Sequence, residues 1–138
     1  SLIPLDTTAR TAKDAAQSLE VEVGAIVKSL VFKSSKKNSY YLCLVSGDRL
    51  VSLKKLSLNI NDDVEKAFAK EVKDQTGYSI GGVPPVAFKN PPTQIFIDSN
   101  LKRFEKIYAA AGHPYVVFGI TFEQVCQITN GKIIDFVE

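Results

Sequence analysis

Methionine is missing from the 138-residue chain, position 1 included, so the beginning of this sequence is expected to have been processed, trimmed or left by a tag. Histidine occurs once, as His113, and cysteine twice, as Cys43 and Cys126, far apart and outside any C-x-x-C spacing. One imidazole and two separated thiols cannot assemble a zinc site of standard ligand count, so neither a metal nor another cofactor is expected. Both cysteines stand among apolar neighbours, where a free buried thiol is the ordinary state, and a reducing cytoplasm is the expected compartment. Long apolar runs are lacking too. Tyr115-Val116-Val117-Phe118 is typical of them, which excludes a membrane-spanning helix. No basic stretch followed by an apolar one marks a secretory signal. An excess of charge of one sign is also absent: the net charge is +2. That does not announce nucleic-acid binding, but it permits a small local phosphate contact. Neither DNA nor a membrane is expected as a partner.

What is present is the balance of an ordinary globular protein, 45% hydrophobic and 23% charged. A chain of this size buries roughly two thirds of its unfolded surface and needs no disulfide or metal staple. No repeat, low-complexity stretch or linker divides it, so residues 1–138 read as one domain.

Local signals predict the elements. Thr11 caps a short helix through Leu19, with Ala12, Ala15, Ala16 and Leu19 on one face. Strands are expected over residues 26–32 and 40–45, with turn chemistry at Ser46-Gly47-Asp48-Arg49. Leu53 and Leu56 suit one helical turn, Val64 to Phe68 a short strand, and Lys70 to Gln75 a helix stopped by Gly77. Beyond an irregular Gly- and Pro-rich segment, Gln94 to Asp98 reads as a strand and Ser99 to Glu105 as a helix. Ile107 to Ala111 and Tyr115 to Ile120 read as strands. Thr121 caps a helix to Thr129, and Ile133 to Val137 is a last strand. Strands and helices interleave without a regular βαβ rhythm, which predicts an α+β fold with helices packed on a mixed sheet.

Three places could carry chemistry. In Thr76-Gly77-Tyr78-Ser79-Ile80-Gly81-Gly82-Val83-Pro84-Pro85 the plain reading is a pair of turns stiffened by proline. The functional reading is that adjacent glycines expose backbone groups to a ligand; the spacing fits neither a Rossmann nor a P-loop fingerprint. Lys28 interrupts an apolar strand. With alternation, Lys28 and Leu30 point one way and Val27, Ser29 and Val31 the other. It is either a snorkelling lysine on a solvated face or a rim lysine offering charge to a phosphate or carbonyl. His113 lies in a tight turn, either simply exposed or placed to orient a substrate or a water. Lysines 33, 36, 37, 54 and 55 read as solvated faces, with contact to RNA phosphates as the alternative. No Ser/His/Asp constellation and no suggestive carboxylate pair is visible, which lowers the case for a protease or glycosidase.

At the glycine loop the chain resembles the YbaK/prolyl-tRNA synthetase-associated editing domain family. The likeness runs in order through Thr8-Ala9-Arg10-Thr11-Ala12 with Asp14-Ala15-Ala16, then the lysine strand at 26–32. It continues with Ser46-Gly47-Asp48-Arg49 before Leu53-Lys54-Lys55-Leu56, and with the glycine-to-proline loop. Asp98-Ser99-Asn100-Leu101 and Ala111-Gly112 complete it. The resemblance implies a mixed, barrel-like β-sheet flanked by helices, with a pocket between the lysine strand and the glycine loop. It implies hydrolysis of the aminoacyl ester on tRNA, with Lys28 contacting the tRNA end. Gly81, Gly82, Val83, Pro84 and Pro85 would grip the substrate through backbone groups, and Asp98 and His113 join them as binding residues. Catalysis would be substrate-assisted. The expected role is a trans-acting deacylase that removes a small noncognate amino acid from tRNA-Pro. Its partners would be the aminoacyl-tRNA acceptor end and prolyl-tRNA synthetase. Two rivals share the fold: a non-catalytic tRNA- or adenylate-binding module, and a partner that docks on a synthetase. Members differ at the turn holding His113, which makes it a candidate for tuning specificity or placing a water. The amino-terminal part looks shorter than in many members.

Overall fold

A computed structural model describes residues 2–5 and 11–138; the expected motif residues Thr8, Ala9 and Arg10 lie outside the described residues. In chain order the first half gives β1 (Leu2–Pro4), α1 (Ala12–Leu19), β2 (Val27–Ser34), β3 (Tyr40–Ser46), α2 (Leu53–Ile60) and β4 (Val64–Lys66). The second gives α3 (Ala69–Thr76), β5 (Gln94–Ile97), β6 (Ile107–His113), β7 (Val116–Ile120), α4 (Phe122–Thr129) and β8 (Lys132–Ile133). Two 3₁₀ turns, Val23–Ala25 and Ser99–Arg103, complete the set.

β3 is the axis of the molecule, and all of its residues are buried. Its apolar residues alternate between two cores, as a strand covered on both faces requires. Tyr40, Leu42 and Leu44 enter one core with Ile97, Leu101 and Val125. Tyr41, Cys43 and Val45 enter the other with Leu56, Phe96 and Phe136. Complete burial of each such Leu or Phe side chain contributes about 1.5–3 kcal/mol. A third cluster seats Ala15 and Ala16 of α1 on Ile26 and Val117.

The mixed α+β architecture is the expected one. Five strands run in the order β4-β2-β3-β5-β8, antiparallel in the first half and parallel from β3 to β8. Three more, β1-β7-β6, form an antiparallel sheet. The two sheets meet at a parallel bridge between Ile26 and Tyr108 and do not close into a barrel.

Several bounds differ from local expectation. α2 runs two turns rather than one, capped by the Ser52 hydroxyl, which accepts from the Lys55 amide at 3.2 Å. Ser99–Arg103 is a 3₁₀ turn rather than a helix to Glu105, because Phe104 already returns to an extended conformation. The last strand stops at Ile133 instead of reaching Val137. There the Asp135 carbonyl accepts from Asn59, the Phe136 carbonyl from the Ser52 amide, and Val137 bridges Val51. The backbone of that tail is satisfied by α2 and the residues leading into it, so it has no need of the sheet. Among the described residues no helix is long and apolar enough to cross a membrane.

Candidate active site

A cavity of about 360 Å³ opens between α1, β2, the 80–83 loop and the second sheet. Lys28, Ser29 and Leu30 border it in succession, facing Ile80, Gly81 and Val83. The lysine strand and the glycine loop are therefore opposite walls of one space. Along β2, Val27 and Val31 fall into the first core and Leu30 packs on the second, the alternation the sequence predicts. Lys28 is half-buried, and its ammonium donates to the Arg49 carbonyl at the end of the β3 turn. Burial lowers the pKa of Lys28 from the ordinary lysine value. The carboxylates of Asp48 and Asp98 oppose that shift, and Lys66 adds to it. Lys28 is thus a partly desolvated cation at the border of the cavity.

The other wall is shaped by backbone. Two bonds close the base of the loop: the Lys89 amide to the Thr76 carbonyl at 3.0 Å and the Asn90 amide to the Gln75 carbonyl at 2.9 Å. The Tyr78 hydroxyl donates to the Ala87 carbonyl at 2.7 Å and ties the two limbs together. A turn follows, closed by the Gly82 amide on the Ser79 carbonyl at 2.9 Å, with Gly81 at φ +88°. That conformation favours glycine. Having no side chain, Gly81 presents only backbone to the cavity. Gly82 has a different reason: a Cβ there would lie 3.3 Å from the backbone of His113, tighter than a normal contact.

The structure brings together only some of the expected residues. Lys28, Gly81 and Val83 border the cavity. Gly82 sits behind, against β6, and Pro84 and Pro85 are buried, with Pro85 facing a separate surface cavity. Asp98 is buried and spends its carboxylate on protein groups. One oxygen accepts from the Asn100 amide at 2.9 Å and from its side chain at 2.7 Å, and the other from the Ser46 amide at 3.0 Å. His113 is exposed and accepts from the Tyr115 amide at 3.1 Å through Nδ1.

Two features escape sequence reading. The Ser29 hydroxyl is buried at the cavity wall without a hydrogen-bond partner among the described residues, an arrangement that favours an incoming polar group. Asp48 reads in the sequence as turn chemistry, yet its carboxylate accepts two bonds from Arg103, at 2.7 and 3.1 Å. That partner is 55 residues away, beyond the reach of any local pattern. The hydrogen bond from Arg103 holds the Asp48 carboxyl below its ordinary pKa; burial opposes this and the Ser46 hydroxyl assists. Among the described residues the cavity is lined by two lysines, Lys13 and Lys28, by the hydroxyl-bearing Thr11, Ser29 and Tyr108, and by apolar residues, but by no carboxylate or imidazole. No group of three or more His, Cys, Asp or Glu among them converges as a metal site.

The chain was compared with known proteins. A family model described as the aminoacyl-tRNA editing domain matches residues 6–127. An Enterococcus faecalis protein named "Putative Cys-tRNA(Pro)/Cys-tRNA(Cys) deacylase EbsC" is 29% identical over 88% of this chain and 74% of its own length. A proline–tRNA ligase of Thermosipho melanesiensis is 34% identical over 67% of this chain, a match spanning 16% of the ligase. Among solved structures, one described as "a putative trans-editing enzyme for prolyl tRNA synthetase" superposes with a TM-score of 0.91 at 37% identity. That match covers 100% of this chain and 86% of the other.

Proposed function

The chain belongs to the aminoacyl-tRNA editing domain family, and from that premise we propose that it is a trans-acting deacylase. As a single domain over residues 1–138, it would clear a small noncognate amino acid from tRNA of the proline system. The observation that carries this reading is the cavity itself. At about 360 Å³ it stands near the lower end of the range of ligand clefts, with a partly desolvated ammonium on one wall and, on the other, the bare backbone of Gly81 between Ile80 and Val83. Lys28 meets the phosphate or carbonyl oxygen of the tRNA end, and the Ser29 hydroxyl offers a further hydrogen bond. Water attacks the ester carbonyl carbon and the acyl C–O bond breaks. The amino acid departs as its carboxylate; of the water's two protons one goes to the terminal ribose oxygen and the other to solvent. An aminoacyl ester is already activated, so holding it and a water in register supplies much of the acceleration without a side-chain base. Backbone donors at the loop stabilise the developing oxyanion. Gly82, Pro84, Pro85 and Asp98 serve by holding these walls. His113, packed through its backbone on Gly82, bounds the loop. Both thiols are free, which fits a reducing cytoplasm.

A deacylation panel on one tRNA body tests the proposal. Alanyl, seryl and cysteinyl esters should be hydrolysed appreciably and phenylalanyl or tyrosyl esters little. A small pocket excludes bulk but separates close isosteres by no more than about a hundredfold. Rapid release of phenylalanine or tyrosine would overturn the account of the pocket. Protection of every ester without release of free amino acid would mark a binding module instead.

A further inference from the structure

We infer that Asp48 and Arg103 form a clamp that positions the Lys28 ammonium by fixing the backbone carbonyl that receives it. The inference rests on the reading of Lys28 as the group that meets substrate.

Lys28 donates to the carbonyl of Arg49, the last residue of a turn closed by the Arg49 amide on the Ser46 carbonyl at 2.9 Å. Where that carbonyl stands, the ammonium stands. The three residues before Arg49 are each held from outside the turn. The Ser46 hydroxyl reaches the Gly24 carbonyl at 2.5 Å. Gly47 lies so close beneath the Val23 carbonyl that a Cβ would run into it. Asp48, next in line, is held by the two guanidinium bonds from Arg103.

Arg103 in turn has little freedom. Its Nε donates to the Asn100 carbonyl at 2.7 Å, Nη2 also reaches the Ser46 hydroxyl at 2.8 Å, and its plane lies 4.9 Å from the Phe104 ring centre. The 3₁₀ turn that carries it is anchored to the end of β3 by Asp98. The fork-to-fork geometry fixes direction as well as distance, which a lysine in place of Arg103 could not reproduce. Asp48 and Arg103 are each more than a third exposed, and pairs in that setting add little to stability. The value of the pair lies in what it aims.

The charged groups acting on Lys28 are Asp48 of the turn, Asp98 at the start of the 3₁₀ turn and Lys66 of β4, with Arg49 and Arg103 flanking Asp48. The two halves of the clamp therefore make opposite predictions. Asp48→Asn removes a carboxylate that raises the Lys28 pKa, so Lys28 loses its proton at lower pH. Arg103→Ala removes a cation and frees Asp48, so Lys28 keeps its proton to higher pH.

The experiment measures kcat, KM and their pH profiles for aminoacyl-tRNA hydrolysis, with a side-chain NMR titration of Lys28 in each variant. Both substitutions should lower kcat by roughly ten- to a hundredfold with smaller changes in KM, the scale of a misplaced reacting group. The alkaline limb should move down in Asp48→Asn and up in Arg103→Ala, and Arg103→Lys should recover only part of the rate. Near wild-type kcat in both variants overturns the clamp, as does a loss of rate at every pH with the Lys28 titration unmoved. If Arg103→Ala does not fold, the nearly isosteric Asp48→Asn decides alone. A wild-type protein that hydrolyses no aminoacyl ester refutes the proposed function, whereas the titration still shows whether the clamp governs Lys28.

Discussion

The wall of the cavity that carries Lys28 is a strand bonded to its neighbour along its length, from Val27 opposite Ser46 to Lys33 opposite Tyr40. The wall that carries Gly81 is a loop closed at its base by two backbone bonds and shaped by left-handed residues at Gly77, Gly81 and Ala87. The first wall devotes its order to aiming a charge, and the second to shaping a space. A change to the lysine should therefore alter rate without altering the fold, since its side chain belongs to neither core. A change to the loop alters both, because the same backbone makes the surface and holds the chain.

Lys28→Ala should separate the walls most sharply. It should abolish deacylation while the circular dichroism spectrum stays that of the wild type. Lys28→Arg should restore little, because a planar fork does not replace a compact ammonium. Retention of near wild-type turnover by Lys28→Ala would remove the lysine wall from the mechanism.

Next in size come the loop substitutions. Gly81→Val places a β-branched residue at φ +88°, which costs stability of about 1–2 kcal/mol and brings bulk to the cavity mouth. Gly82→Val meets the His113 backbone instead, so the loop must move away from β6. Activity should fall more than the melting temperature predicts in both. Unchanged turnover with merely a lower melting temperature would reduce the loop to a turn.

The smallest effect expected is that of salt. With a net charge of +2, few phosphates can be neutralised. The affinity for aminoacyl-tRNA should fall with a log–log slope of roughly −2 to −4, not the −8 or steeper of a long phosphate track. A steep slope, measured by titration at two salt concentrations, would mean that the walls of this one cavity are only part of the contact.

Much of this organisation is local, and the sequence by itself determined it. Thr11 and Thr121 cap helices through their own hydroxyls because the donors they satisfy lie three residues ahead. The lysine breaking an apolar strand and the paired glycines before two prolines needed no tertiary information to stand out. The pattern alone left the glycine stretch readable as a pair of turns, and the family resemblance implied the pocket between it and the lysine strand. What only the tertiary structure decided depends on partners distant in the chain. The strands divide into two sheets because β1 and β6 flank β7 while β3 pairs in parallel with β5, pairings that no local propensity encodes. Asp98, Pro84 and Pro85 share motifs with the site, yet their surroundings place them behind it. Asp48, which reads only as turn chemistry, and Arg103, silent in the sequence, meet because the end of β3 and the 3₁₀ turn after β5 are joined through Asp98. Spacing along a chain fixes which side chains share a face; which faces meet is settled only when the cores close and each buried polar group finds a partner.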